Sequence, residues 1–129
     1  MSFAEPEFRL REDHADERAT VVVVEGEIHV STAPEFSLLL RGMIAAGCPA
    51  LVLDMTDVVF IDSTGLSVLL NVLRDARQAN ARLALVCANP TVLRLFEITH
   101  LDSTFDIHAD RPSALLAVQA AGGSDDGTP

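Results

Sequence analysis

Apolar and polar positions fall into blocks along the chain, and the blocks alternate between two periods. Ala19-Thr20-Val21-Val22-Val23-Val24-Glu25-Gly26-Glu27-Ile28 holds four successive valines. A continuous β-branched run suits a strand covered on both faces. Phe8 to Arg11 is a shorter candidate strand, followed by a turn-like polar stretch from Glu12 to Glu17. After Ile28 the period lengthens. Thr32-Ala33-Pro34-Glu35 reads as a capping box, with Thr32 as N-cap and Glu35 three residues later, and Pro34 fits a first helical turn. Phe36, Leu39, Leu40, Met43 and Ile44 then give one apolar helix face. Gly47 and Pro49 stop it.

The alternation repeats downstream. Leu51-Val52-Leu53 predicts a short buried strand, and Val58-Val59-Phe60-Ile61 a second short apolar run. A helix follows, with Leu66, Leu69, Leu70, Leu73 and Arg77 on one stripe. Leu83 to Cys87 is another buried strand. Asn89-Pro90 opens a helix by N-cap and proline, running to about Ile98. Thr104 to Ile107 is a predicted edge strand, and Arg111-Pro112-Ser113 starts a last helix ending near Ala120. Strands alternating with helices predict an α/β domain, a mixed but mostly parallel sheet of four to five strands with about four helices packed on it. The folded part is expected over 8–120. Residues 1–7 are expected to be a flexible start, and 121–129, rich in Gly, Ser and Asp, a disordered tail.

Composition narrows the function. The 129 residues carry a formal charge of −10, and all nine basic residues are Arg. Nucleic acids and anionic membranes call for a basic face, so neither is expected as a partner. The absence of Lys excludes Schiff-base chemistry and a Lys-bearing phosphate loop. Cys48 and Cys87 lack metal-ligand neighbours at zinc spacing and read as reduced thiols of a cytoplasmic protein. No segment approaches the roughly 20 apolar residues of a membrane span, and no metal or cofactor is expected.

The chemistry concentrates at Asp62-Ser63-Thr64-Gly65, where an apolar run meets a helix start. Ser63 reads as the N-cap of that helix, and capping alone is a sufficient reason for a serine there. The same place suits a phosphate, because a helix start offers free N–H groups and a positive dipole end. With the core stripe set by the four leucines, Val68 is expected to project outward beside Asn71 and Asp75. Thr64, Ser67, Val68 and Asn71 are therefore candidate partner contacts.

Val58-Val59-Phe60-Ile61-Asp62-Ser63-Thr64-Gly65-Leu66 resembles the signature of STAS domains in anti-sigma factor antagonists, an apolar pair, Asp-Ser, Ser or Thr, then Gly-Leu. Gly26-Glu27-Ile28 with Ser31-Thr32-Ala33-Pro34 is similar to the family's Gly-Glu-Leu/Ile-Asp and Thr-Ala-Pro. Arg94 to Leu101 resembles its Arg-Leu-Phe-Asp-Ile-Thr-Gly-Leu. The resemblance covers about Phe8 to Val118 and implies the STAS fold. It also implies a partner-switching role. The unphosphorylated antagonist binds an anti-sigma factor that is also an ATP-dependent serine kinase, the kinase phosphorylates the first hydroxyl after the Asp, and a serine phosphatase resets the cycle. By that match the acceptor is Ser63. Asp62 positions the hydroxyl, Thr64, Gly65, Ser67, Val68 and Asn71 continue the partner surface, and the loop with Glu27 and His29 borders it. His29 stands where the family commonly has Asp, a change that bears on which kinase acts. His100 stands where a glycine is common, which implies strain if that position has positive φ.

Enzyme readings fare worse. One residue too many separates Asp62 from Gly65 for an aspartic-protease motif, and Ser63 lacks the Gly-x-Ser-x-Gly elbow of a hydrolase. The rival that shares the fold is a STAS accessory or adaptor subunit of a lipid transporter or of a stress-sensing complex.

Overall fold

The computed structural model describes residues 8–14 and 18–127. The expected flexible start at 1–7 and the last two residues lie outside that range. Five strands form one sheet in chain order, β1 (Arg9–His14), β2 (Thr20–Ile28), β3 (Ala50–Ile61), β4 (Arg82–Val86) and β5 (Ile107–His108). β1 runs antiparallel to β2, and the other neighbours are parallel. Four helices are described, α1 (Ala33–Ala45), α2 (Ser63–Gln78), α3 (Pro90–Ile98) and α4 (Arg111–Gly127). This is the predicted mixed, mostly parallel α/β architecture.

The valine run is a strand covered on both faces, as a parallel sheet requires. Val22, Val24 and Ile28 join Phe36 and Leu40 of α1, Leu69 and Val72 of α2 and Phe96 of α3 in the main core. Val21 and Val23 face the other way, with Val52, Ala84 and Val86, against Ala114 and Val118 of α4. Asp54 also faces α4 and is only 7% exposed. Arg111, the first residue of α4, donates to its Oδ2 at 3.0 and 3.1 Å and to Asp13 of β1 at 2.9 Å. This triad ties the last helix to the middle of the sheet and to its edge.

Several expected boundaries move. The two short runs around residues 51–53 and 58–61 are one strand, β3. It stays continuous because its pairing with β2 absorbs two extra residues, at the shifts between Val23/Glu25 and Gly26/Glu27. Positive φ at Gly26, 97°, accommodates the second of these. β1 extends to His14 rather than stopping at Arg11. β5 is shorter than expected, because Phe105 leaves the strand to pack edge-on against Phe96, with ring centroids 5.8 Å apart. α4 continues past Ala120 to Gly127.

The helix starts show how local chemistry was redistributed. Asn89 caps α3 as expected, its Oδ1 accepting the Thr91 N–H at 2.9 Å. Thr32 is the N-cap of α1, but the predicted capping box is absent, because its side chain makes no cap bond. The Thr32 hydroxyl instead donates to the Glu27 carbonyl at 2.8 Å and accepts the His29 N–H at 3.0 Å. His100 has φ 61°, so the strain expected of a side chain at that turn is present.

Candidate functional site

The Asp62-Ser63-Thr64-Gly65 segment lies where β3 ends and α2 begins, at the C-terminal edge of the parallel strands. Two backbone constraints place it. The Asp62 N–H donates to the Ile28 carbonyl at 3.1 Å, so the end of β3 is tied to the end of β2. Gly65 then packs onto the same point. A Cβ at residue 65 would lie 2.7 Å from the Ile61 side chain, 2.8 Å from that of Ile28 and 3.1 Å from the Ile28 carbonyl oxygen. Only glycine lets α2 start this close to the sheet.

The cap of α2 is Asp62, not Ser63. Asp62 is extended, with φ −105° and ψ −172°, and its Oδ1 accepts the Gly65 N–H at 3.0 Å. Its carbonyl accepts the Leu66 N–H at 3.0 Å. A carboxylate competes better than a hydroxyl for the helix's positive end. Ser63 is thereby moved to the first helical position. It is exposed, and its hydroxyl makes no hydrogen bond to any described residue. Thr64 is half-buried.

The faces of α2 also differ from expectation. Val68 does not project outward; it is 8% exposed and belongs to the core with Gly65, Leu66, Leu69, Val72 and Ala76. Leu70, counted in the predicted core stripe, is 38% exposed instead. The buried face is rotated from the stripe of four leucines toward Gly65, Val68, Val72 and Ala76, and Gly65 marks a close approach to the sheet. The outward face is built by Ser63, Ser67, Leu70 and Asn71, and the Asn71 side-chain oxygen accepts from Arg74 at 2.9 Å. Leu70 is the residue of this outward face that the sequence pattern placed in the core.

Glu27 and His29 flank Ile28, whose carbonyl receives the Asp62 N–H. His29 Nδ1 accepts the Ser31 N–H at 3.2 Å, and its Nε2 lies 3.6 Å from Glu27 Oε1. That acceptor role puts the neutral ring's proton on Nε2, facing the carboxylate. Asp54 contributes no charge here, since it faces α4 and is paired with Arg111. Cys87 is buried, and burial pushes its thiol above the ordinary range. Among the described residues no cluster of three potential metal ligands occurs, and no helix is long and apolar enough to cross a membrane. The arrangement offers one exposed nucleophilic hydroxyl at a helix start, an acidic cap and an outward helical stripe.

The chain is similar in sequence and fold to known proteins. An anti-sigma-B factor antagonist of Listeria monocytogenes is 35% identical over 95 residues, 74% of this chain and 79% of that protein. The crystal structure of an anti-sigma factor antagonist from Mycobacterium paratuberculosis superposes with a TM-score of 0.76 at 29% identity, covering 88% of this chain and 94% of the other. The anti-sigma factor antagonist SpoIIAA in its unphosphorylated form gives a TM-score of 0.74 at 18% identity over 87% of this chain and 97% of its own, a likeness of fold. The STAS domain model matches residues 11–114. The chain belongs to the STAS domain family.

Proposed function

We propose that this STAS protein is an anti-sigma factor antagonist working by partner switching. Unphosphorylated, it binds an anti-sigma factor that is also a serine kinase. Phosphorylation on Ser63 releases it, and a serine phosphatase restores the binding form. The chain contributes an acceptor hydroxyl and a docking surface, not a catalytic group, and works in the cytoplasm beside the transcription machinery.

The observation that carries this reading is the uncommitted Ser63 hydroxyl. Had Ser63 been the cap, its oxygen would be engaged with a backbone N–H, and phosphorylation would have to unmake the helix start. With Asp62 as cap, the hydroxyl is exposed on a rigid first turn. The names borne by the relatives from Listeria and Mycobacterium support the same role.

The switch then works by local electrostatics. A phosphate adds about −1.5 to −2 charges at a helix start that tolerates anions. The helix need not melt. A partner seated over Ser63, Ser67 and Leu70 meets a bulky dianion it must desolvate, beside Asp62 and Glu27, and repulsion at the interface suffices for release.

The test uses two baits in lysate of the source organism, the wild type and Ser63→Asp, with bound proteins identified by mass spectrometry. The expected result is an ATP-binding anti-sigma factor kinase on the wild type that Ser63→Asp loses. If both baits instead retain the same transporter or assembly subunits, the chain is a STAS adaptor and the reading fails.

A further inference from the structure

The ends of β2 and β3 lie beyond the reach of α4, whose cluster includes none of their residues, while α2 and α3 cover the opposite face, where Ile28, Val58 and Ile61 are buried. α4 starts at Asp54, where Arg111 is bound, and its buried residues Ala114 and Val118 pack with Ala19, Ala50 and the earlier strand residues. β4 is paired with β3 only as far as Asp54↔Val86. Beyond that point Glu25 and Glu27 continue the face of β2 that Val21 and Val23 began, and both are half-exposed.

β3 adds more to this strip than a regular strand would. From Met55 onward its burial follows a period of three, with Met55, Val58 and Ile61 inward and Thr56, Asp57, Val59 and Phe60 outward. The two register shifts against β2 produce this doubling. Val59 and Phe60 are each 45% exposed. Parallel sheets are normally covered on both faces, and bulges of this kind re-aim side chains. An aromatic ring turned out of such a sheet is anomalous for a surface that meets only water.

The charges around the ring indicate what meets it. Glu27 is the register partner of Phe60, and Glu25 that of Asp57. Two carboxylates directly opposite on neighbouring strands repel. Among the described residues Arg9 of β1, opposite Glu25, is the cation in that row, and the Phe60 end carries the carboxylates of Glu27 and Asp57, with the His29 ring 3.6 Å from Glu27, within a chain of net charge −10.

We infer that Phe60 is the anchor of a docking surface for a partner protein presenting an apolar pocket rimmed by Arg or Lys. The partner is the anti-sigma factor, and the surface extends its contact from the Ser63 helix start across the bare end of the sheet. This rests on the function proposed above. An aromatic anchor inside a charged rim is the usual anatomy of an energetic centre in an interface. The excess of carboxylates accounts for selection of a cationic counterpart and for fast, salt-dependent association.

The experiment measures binding of the source organism's purified anti-sigma factors to the full chain by titration calorimetry at low and high salt. Phe60→Ala, Asp57→Lys and a control, Leu38→Ala on the outer face of α1, are compared with wild type after thermal melting shows that each is folded. Expected are a loss of tenfold or more for Phe60→Ala, a loss with a flatter salt dependence for Asp57→Lys, and a change within twofold for Leu38→Ala. Wild-type binding that Phe60→Ala and Asp57→Lys leave unchanged overturns this inference alone. Absence of wild-type binding to every anti-sigma factor overturns the proposed function, and the inference with it. If Phe60→Ala instead abolishes a self-association seen by sedimentation while anti-sigma binding persists, the occupant is a second copy and the inference is wrong.

Discussion

The Asp62 carboxylate accepts the Gly65 N–H at 3.0 Å, and this one bond decides the chemistry of Ser63, the first of the two residues between them. It fills the capping position that Ser63 was expected to hold. Asp62→Ala is therefore expected to lower stability by about 1 kcal/mol, while Ser63→Ala stays within about 0.5 kcal/mol of wild type. Urea denaturation of the two variants measures both. The reverse order of effects would return the cap to Ser63.

Gly65→Ala is expected to destabilise by about 1–3 kcal/mol, because the new methyl meets the Ile28 carbonyl as well as two core side chains. The carbonyl cannot move without breaking its bond from the Asp62 N–H. A drop in the thermal midpoint checks the prediction. Binding by whatever fraction stays folded should fall too, since α2 is pushed off the sheet at Ser63.

Acid should loosen the α4 anchor. Burial pushes the Asp54 carboxyl up, but hydrogen bonds from the Thr56 hydroxyl and N–H and the Arg111 guanidinium outweigh it and hold it below the ordinary carboxylate range. A depressed folded-state pKa contributes stability above the unfolded value of about 4, which is lost as pH falls through the folded value. Urea midpoints at pH 7 and pH 3 should therefore differ less in Asp54→Asn than in wild type. Arg111→Ala at pH 7 should cost roughly 2–3 kcal/mol, short of the full range for a broken buried pair because Thr56 still satisfies Asp54.

Thr32 and Glu35 separate two explanations of one motif. The Thr32 hydroxyl holds the Glu27 carbonyl and the His29 N–H, so Thr32→Ala should cost about 1–2 kcal/mol and loosen the loop beside Ser63. Glu35 is exposed on the first turn of α1, and Glu35→Ala should stay within about 0.5 kcal/mol. Equal losses in the two would restore the capping box. Hydrogen exchange at the amides of Glu27 to Ser31 reports the loop directly.

The order and kind of the elements were legible in the sequence, because each rests on local chemistry. Four valines in a row suit only a strand with two covered faces. Asn89-Pro90 starts α3 by its own side chain. The Asp-Ser-Thr-Gly junction, read against its family, identified the segment at the head of α2. What stayed hidden depends on the distance between elements. Periodicity locates a stripe but not its centre, so Val68 and Leu70 exchanged faces once the close approach at Gly65 set how α2 turns toward the sheet. Which of two neighbouring residues caps a helix depends on where the preceding strand ends, and the bond from Asp62 to Ile28 determined that. The outward turn of Phe60 came from register shifts between two strands, which neither strand carries alone. The sequence by itself determined which segments form strands and helices and where the Ser63 hydroxyl stands along the chain. Only the tertiary structure decided that the hydroxyl is free and what surrounds it, because capping, exposure and register are outcomes of packing between segments distant in the chain.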